Sequence, residues 1–399
     1  MTGLPPWPRP PTAAGMPPRF ARRQWLAWAL AVAGATTARD GLALPAKTLR
    51  FPRDHGSHPD LRTEWWYITG HAFADGRPWG FQVTFFRSRM DATQTMRSAF
   101  AAKQLLFAHA AITDVQGQKL LHDQRVARAG FGVAEASEAD TAVRLRDWSL
   151  LRQNVPGPGA DATASRYTAR ITGEQFGLQL QFESTQPLLL QGQRGLSRKG
   201  PLAEQASYYY SQPQLAVSGS MVVGGRTLPI DPTRPARAWM DHEWSEALLA
   251  DDAVGWDWIG MNLHDGNALT AFQLRRADGS ALWAGGSFRG AGQITPQVFS
   301  ATDVSWRPLR WWTSPQSDAR YPVQWEVQTP VGTYTVNALL DAQELDSSAS
   351  TGAVYWEGLS DLNHANGQAA GRGYLEMTGY TKAMRLSPQC LWANPSAVG

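Results

Sequence analysis

Cysteine is almost missing from this chain. Cys390 is the only one among 399 residues, so no disulfide closes within the chain and no Cys-x-x-Cys pair is on hand for a structural zinc. Charge is sparse as well: 18% of residues are charged and the formal net charge is +3. No Lys/Arg cluster forms a stripe able to follow a phosphate backbone, which argues against nucleic acid as a partner. The longest uncharged apolar run, Trp25 to Ala38, is shorter than the roughly 20 residues a spanning helix needs. Familiar catalytic signatures are absent too. There is no Gly-x-Ser-x-Gly, no P-loop, no Gly-x-Gly-x-x-Gly behind a strand and no His-Glu-x-x-His, so nucleotide chemistry is not expected and no cofactor is called for.

What is present begins with a leader. Arg22-Arg23-Gln24 precedes the apolar run, and small residues follow around Ala35–Ala38 and Ala43–Ala46. A charged start, an apolar middle and a small-residue end are signal-peptide features. The paired arginines point to the twin-arginine route. Residues 1–46 are therefore expected to be an export signal and disordered leader, and the product periplasmic or secreted, with association at the membrane surface or with a transporter. A chain exported already folded has no need of disulfides.

Tryptophan is abundant, with 18 copies, and one pattern occurs twice. Trp66, Gly70, Asp75 and Gly76 recur as Trp256, Gly260, Asp265 and Gly266, each pair 190 residues apart. A repeat this long indicates two domains of one architecture rather than a solenoid, whose period is roughly 20–50 residues. Domains are expected at 47–220 and 221–399. In both copies Asp-Gly lies between aromatic and β-branched runs, a strong hairpin signal because Gly accepts positive φ. The spacing of strands and turns predicts an all-β protein of antiparallel barrels. The only helix expected is a short one within Asp91–Phe100 and Ala101–Leu106. Alignment of the copies sets Tyr67 against Asp257 and Glu64 against Val254.

Candidate chemistry follows from strand alternation, since residues two apart share a face. Asp241 and Glu243 lie on one face of Met-Asp-His-Glu-Trp-Ser, with His242 and Trp244 opposite. A carboxyl flanked by tryptophans and turned away from water rises in pKa and can donate a proton, which nominates Asp257, Asp241 and Glu64. The competing reading has these acids accepting indole N–H bonds or pairing with Arg62, Arg87, Arg237 or Arg275 to pin hairpins. His242 is the candidate general acid or base. Asp54-His55-Gly56-Ser57-His58 looks like part of a metal site, but metal needs three or four converging ligands, and none is expected.

Several motifs together resemble the carotenoid 1,2-hydratase/AttH lipocalin-like family. They are His58-Pro59 with Glu64-Trp65-Trp66-Tyr67, Gly80-Phe81-Gln82, Ser207–Ser211, Trp239–Trp244, Gly255–Trp258, Tyr355–Gly358 and Gly373–Tyr380. The resemblance implies two lipocalin-like β-barrels packed together. It also implies a hydrophobic, lipid- or isoprenoid-like ligand, with acid-catalysed hydration of the carotenoid 1,2-hydratase type as the leading activity. Asp257 or Asp241 is then the proton donor, with His242 handling water. Trp244, Trp256 and Trp258 face the cation, and Trp66, Gln273 and Tyr380 complete the ligand contacts. The alternatives are a non-enzymatic lipid carrier or chaperone and, after the secreted-hydrolase members of the family, an ester hydrolase.

Overall fold

A computed structural model describes residues 43–155 and 163–384. Nearly all of the leader, the middle of the Gly/Pro/Ala loop after Gln153, and Cys390 lie outside these residues. Among the described residues are 24 strands and two single 3-10 turns, Arg53–His55 and Asp91–Thr93. The expected helix within 91–106 is thus reduced to one turn. Its second part enters the strand Gln104–Asp114, which is buried on both faces and pairs Phe107 with Phe86 and with Val126. A continuous apolar run covered on both sides is more stable in a sheet than as a surface helix.

The predicted hairpins form. Thr63–Ala74 turns through Asp75 and Gly76, with φ of 51° and 72°, into Arg77–Arg89. Positive φ at both positions of a two-residue loop matches the twist of the flanking strands. Gly255–Leu263 likewise returns as Ala268–Arg275 through a longer turn in which Gly266 has φ 87°.

All strands fall into two antiparallel sheets, of 14 and 10 strands. The first curls until Lys119–Arg128, at one edge, packs near Ala142–Leu145 towards the other, nearly closing a barrel. Arg237–Ala247 belongs to this first sheet, inserted between Thr63–Ala74 and Ala206–Val223. The chain therefore changes sheet between Ala247 and Gly255 rather than at the expected 220, because the first sheet needs this late strand to join its halves. The two sheets do not separate into contact units; the described residues form one.

Each sheet encloses its own core, one around Trp66, Phe81, Trp148 and Trp244, the other around Ile259, Tyr321, Trp325 and Trp356. A third cluster, including Tyr67, Trp239, Trp258, Phe272 and Tyr374, lies between the sheets. There the sheets approach so closely that a Cβ built on Gly80 would sit 2.7 Å from Tyr374 Oη and 3.1 Å from Leu359 Cβ.

The repeat is out of phase in one respect. Trp66 and Ile68 face the first core, whereas Trp256 and Trp258 face the space between the sheets and Ile259 faces the second core. Side chains alternate with period two, so an offset of one residue sends every side chain to the opposite face. Aligning Tyr67 with Asp257 therefore pairs residues of opposite facing. Tyr67 corresponds in facing to Trp258, and Trp65 to Trp256. An Asp-His step precedes each copy of the repeat, but the two are not equivalent: Asp54-His55 is in a 3-10 turn and Asp241-His242 is mid-strand.

Candidate active site between the sheets

The outward faces of the central strands enclose a cavity of about 180 Å³. The first sheet contributes Trp65 and Tyr67 from Thr63–Ala74, Phe86 from Arg77–Arg89, and Asp241 and Glu243 from Arg237–Ala247. The second contributes Trp256 and Trp258, with Glu357 from Ala353–His364 and Glu376 from Ala369–Met377. Register explains the convergence. Tyr67 pairs with Asp241, Trp65 with Glu243, Trp258 with Glu376, and Glu357 with Glu376. Four acids thus meet in a largely aromatic enclosure.

Their environments differ. Asp241 accepts on one oxygen from Ser211 Oγ at 2.5 Å and Trp239 Nε1 at 2.7 Å, and on the other from Tyr209 Oη at 2.8 Å. Burial nevertheless pushes its carboxyl up to about 7 against these donors, with Glu243 adding to the rise. Glu243 has a cation beside it, Lys199 Nζ at 3.0 Å, which also lies over the rings of Phe272 and Tyr209 at 4.4 and 4.6 Å. Glu376 is pushed up to about 7 by burial and by Asp241 and Glu243, with the Trp256 side chain opposing. Glu357 is raised well above the carboxylate range, by burial first and then by Glu376. Neither Glu357 oxygen has a hydrogen-bond partner, and nor has Tyr67 Oη, although the two side chains are near enough to perturb each other's ionisation. A carboxyl buried without a cation, with only the Tyr67 hydroxyl close enough to oppose the rise, keeps its proton. The cavity therefore holds a neutral acid, Glu357, against a neighbour poised near neutrality, Glu376.

The nominated residues are distributed over three places. Asp241, Trp256 and Trp258 line the cavity. Glu64 reaches its edge with Arg87, but its partners lie inside the first barrel. There Glu64 Oε1 is 2.7 Å from His58 Nδ1 and 2.9 Å from His242 Nε2, and Oε2 is 2.8 Å from Arg87 Nε. Burial would raise this carboxyl, yet the two histidines and Arg87 hold it well below its ordinary value. Burial lowers His242 to about 4, against Glu64, and its Nδ1 is 3.1 Å from Tyr210 Oη. Trp66 and Trp244 stack on His242 and His58 with centroids 4.8 and 3.9 Å apart, so both are wall residues of this buried network rather than ligand contacts. Asp257 lies on the core face of the second sheet, fully buried, 2.8 Å from Arg275 Nε and from Gln273 Nε2 and 2.9 Å from Tyr380 Oη. Gln273 and Tyr380 thus hold Asp257, not a ligand in the cavity. The expected pairing of Asp257 or Asp241 with His242 is not made. Successive residues of a strand point to opposite faces, which turns His242 away from Asp241, while Asp257 faces the other core.

His58, Glu64 and His242 have metal-ligand chemistry, and their ligand atoms lie within 4.8 Å of one another. The network already closes on itself: His58 Nε2 is 3.0 Å from Asp54 Oδ1, so both its ring nitrogens are engaged by carboxylates.

Sequence reasoning missed Glu357, Glu376, Tyr67, Tyr209 and Lys199 as site residues. Glu357 and Glu376 did carry a signal: each is the one acid within a resemblance motif rich in aromatic residues, Tyr355–Gly358 and Gly373–Tyr380.

The comparisons agree with this architecture. A crystal structure described as an AttH from Nitrosomonas europaea is 45% identical, covers 85% of this chain and 99% of its own, and superposes with a TM-score of 0.76. Kievitone hydratase from Nectria haematococca shares the fold at 14% identity, covering 86% and 95% of the two chains with a TM-score of 0.63. The curated dehydratase asqC of Emericella nidulans is 25% identical over 165 residues, a match spanning 38% of this chain and 42% of that protein. The AttH-like family model matches residues 42–380, and the chain belongs to the AttH-like family.

Proposed function

We propose that the cavity between the sheets adds water to, or removes it from, a carbon–carbon double bond of an apolar substrate by acid catalysis. The observation that carries this reading is Glu357, a buried carboxyl with no hydrogen-bond partner beside a second carboxyl. In the hydration direction Glu357 gives its proton to one alkene carbon. Positive charge develops on the other, facing the indole rings of Trp65, Trp256 and Trp258. Water adds to that carbon and loses a proton to the Glu376 carboxylate, and the proton returns to Glu357 across the contact between the two acids. One water is consumed and the enzyme is restored. Two neighbouring acids with pKa values pushed apart suit paired acid and base roles. The names hydratase and dehydratase among the relatives fit both directions of this reaction.

An isoprenoid alkene suits the aromatic enclosure, and a carotenoid end group is one member of that class. A passive carrier offers no reason for two adjacent buried carboxyls, which oppose folding at neutral pH. The same proposal places the activity outside the cytoplasm, on the strength of the Arg22-Arg23 leader.

The test is incubation with a panel of isoprenoid alkenes and tertiary allylic alcohols in ¹⁸O-water, read by mass spectrometry. Label is expected in the alcohol, with incorporation falling about 10²–10⁴-fold in Glu357→Gln. Unchanged incorporation in that variant, or none with any member of the panel, defeats the proposal.

A further inference from the structure

A second feature lies outside the cavity, at one end of the first sheet. Phe100 and Phe131 are 71% and 60% exposed, and Met96 beside them in sequence is 52% exposed. The two rings stack at 5.6 Å, and the Arg128 guanidinium lies over both, 4.6 Å from Phe131 and 5.6 Å from Phe100. Arg128 Nη1 also donates to the Phe100 carbonyl at 2.6 Å. Nothing among the described residues covers this pair.

Phe131 is held out at a cost. Its φ is 59°, between Gly130 at 101° and Gly132 at 71°. The left-handed region is unfavourable for a residue with a bulky side chain. The tip is closed by Gly130 N donating to Ala134 O at 2.8 Å and Val133 N to Gly130 O at 3.1 Å. Glycine would occupy position 131 without strain, as it does on either side. A strained backbone that presents an aromatic ring to water indicates a use for the ring.

The patch leads to the cavity. Arg128 pairs with Leu105 and Val126 with Phe107, all on one face of the sheet. Val126 is itself 38% exposed, while Phe107 and its neighbour Phe86 line the cavity. The loop carrying Phe100 packs through Ala102 on Leu105 and Phe107. Arg97 and Lys103 are exposed on the same loop.

We propose that Phe100, Phe131 and Met96 dock this end of the first sheet into the interface of an anionic lipid surface. Aromatic rings with basic side chains beside them are the chemistry that partitions to the headgroup level. The arginines and lysine meet lipid phosphates while the rings enter the acyl boundary. The docking rests on this patch alone. Its use, admission of an apolar substrate along Val126 and Phe107 into the cavity, rests on the reading above.

The experiment is co-sedimentation of the whole protein with phosphatidylcholine vesicles, with and without added phosphatidylglycerol. Wild type is expected to bind the anionic vesicles. Phe131→Gly is expected to bind about tenfold more weakly or worse while melting at the same or a higher temperature, which separates loss of docking from loss of fold. Arg128→Gln is expected to lose most of the preference for phosphatidylglycerol. Glu357→Gln is expected to bind as wild type does, so failure of the catalytic reading leaves this result untouched. Absence of wild-type binding overturns the proposal, as does undiminished binding by Phe131→Gly. So does a concentration-dependent dimer, abolished by Phe131→Gly, in protein that ignores vesicles.

Discussion

Glu357 makes a prediction about folding as well as about catalysis. Its pKa in the folded protein is above its unfolded value. The folded chain therefore keeps a proton that the unfolded chain releases once pH passes about 4.3. Stability is lost as pH rises through that interval, by about 1.4 kcal/mol for each unit between the two values. Gln cannot ionise, so Glu357→Gln should raise the melting temperature, more at pH 8 than at pH 5. A calorimetric scan at both values checks the sign. Burial raises the Asp257 carboxyl as well, against Arg275, Gln273 and Tyr380, but this acid has a cation beside it. Its carboxylate neutralises Arg275 on the core face of the second sheet, and Asp257→Asn leaves that guanidinium without its counter-charge, a loss of about 3 kcal/mol. Denaturant melts should show the loss, while turnover per folded molecule stays close to wild type. The sequence made these two acids hard to tell apart, since both lie next to aromatic residues. What separates them is which face of a strand looks into which space.

At the scale of strands and turns much was readable. Asp75-Gly76 and Asp265-Gly266 announced hairpins, and the alternation in Met-Asp-His-Glu-Trp-Ser correctly divided Asp241 and Glu243 from His242 and Trp244. The assignment of interiors was not readable. Alternation says which residues share a face, but not whether that face meets its own barrel or the other sheet. Trp66 and Trp256 have the same sequence surroundings and opposite destinations. The strand Gln104–Asp114 was misread in part because a run buried on both sides has no period to betray it. Close approach of the sheets depends on a missing side chain at Gly80. Gly80→Val should wedge Tyr374 and Leu359 away and destabilise the protein by about 1–3 kcal/mol, which chemical denaturation measures.

At the scale of the molecule, the proposed reaction draws on charges from both sheets. In it Glu376 serves as base only when ionised, and burial together with Asp241 and Glu243 across the gap pushes its carboxyl up to about 7. The rate should rise through about pH 7 and fall at higher pH, where Glu357 at last ionises. Asp241→Asn removes one of the charges holding Glu376 up, so the rising limb should move to lower pH in a kcat profile. The expected boundary at 220 falls before Arg237–Ala247, which returns between two earlier strands of the first sheet. A fragment of 43–220 should therefore give no cooperative melt by circular dichroism, and one of 43–250 should. The order of the strands has one more consequence. Trp65, Tyr67 and Asp241 are synthesised early, but the carboxyl pair waits for Ala353–His364 and Ala369–Met377, the last two described strands. A nascent chain thus acquires its greasy wall more than a hundred residues before the proton that the proposed chemistry needs.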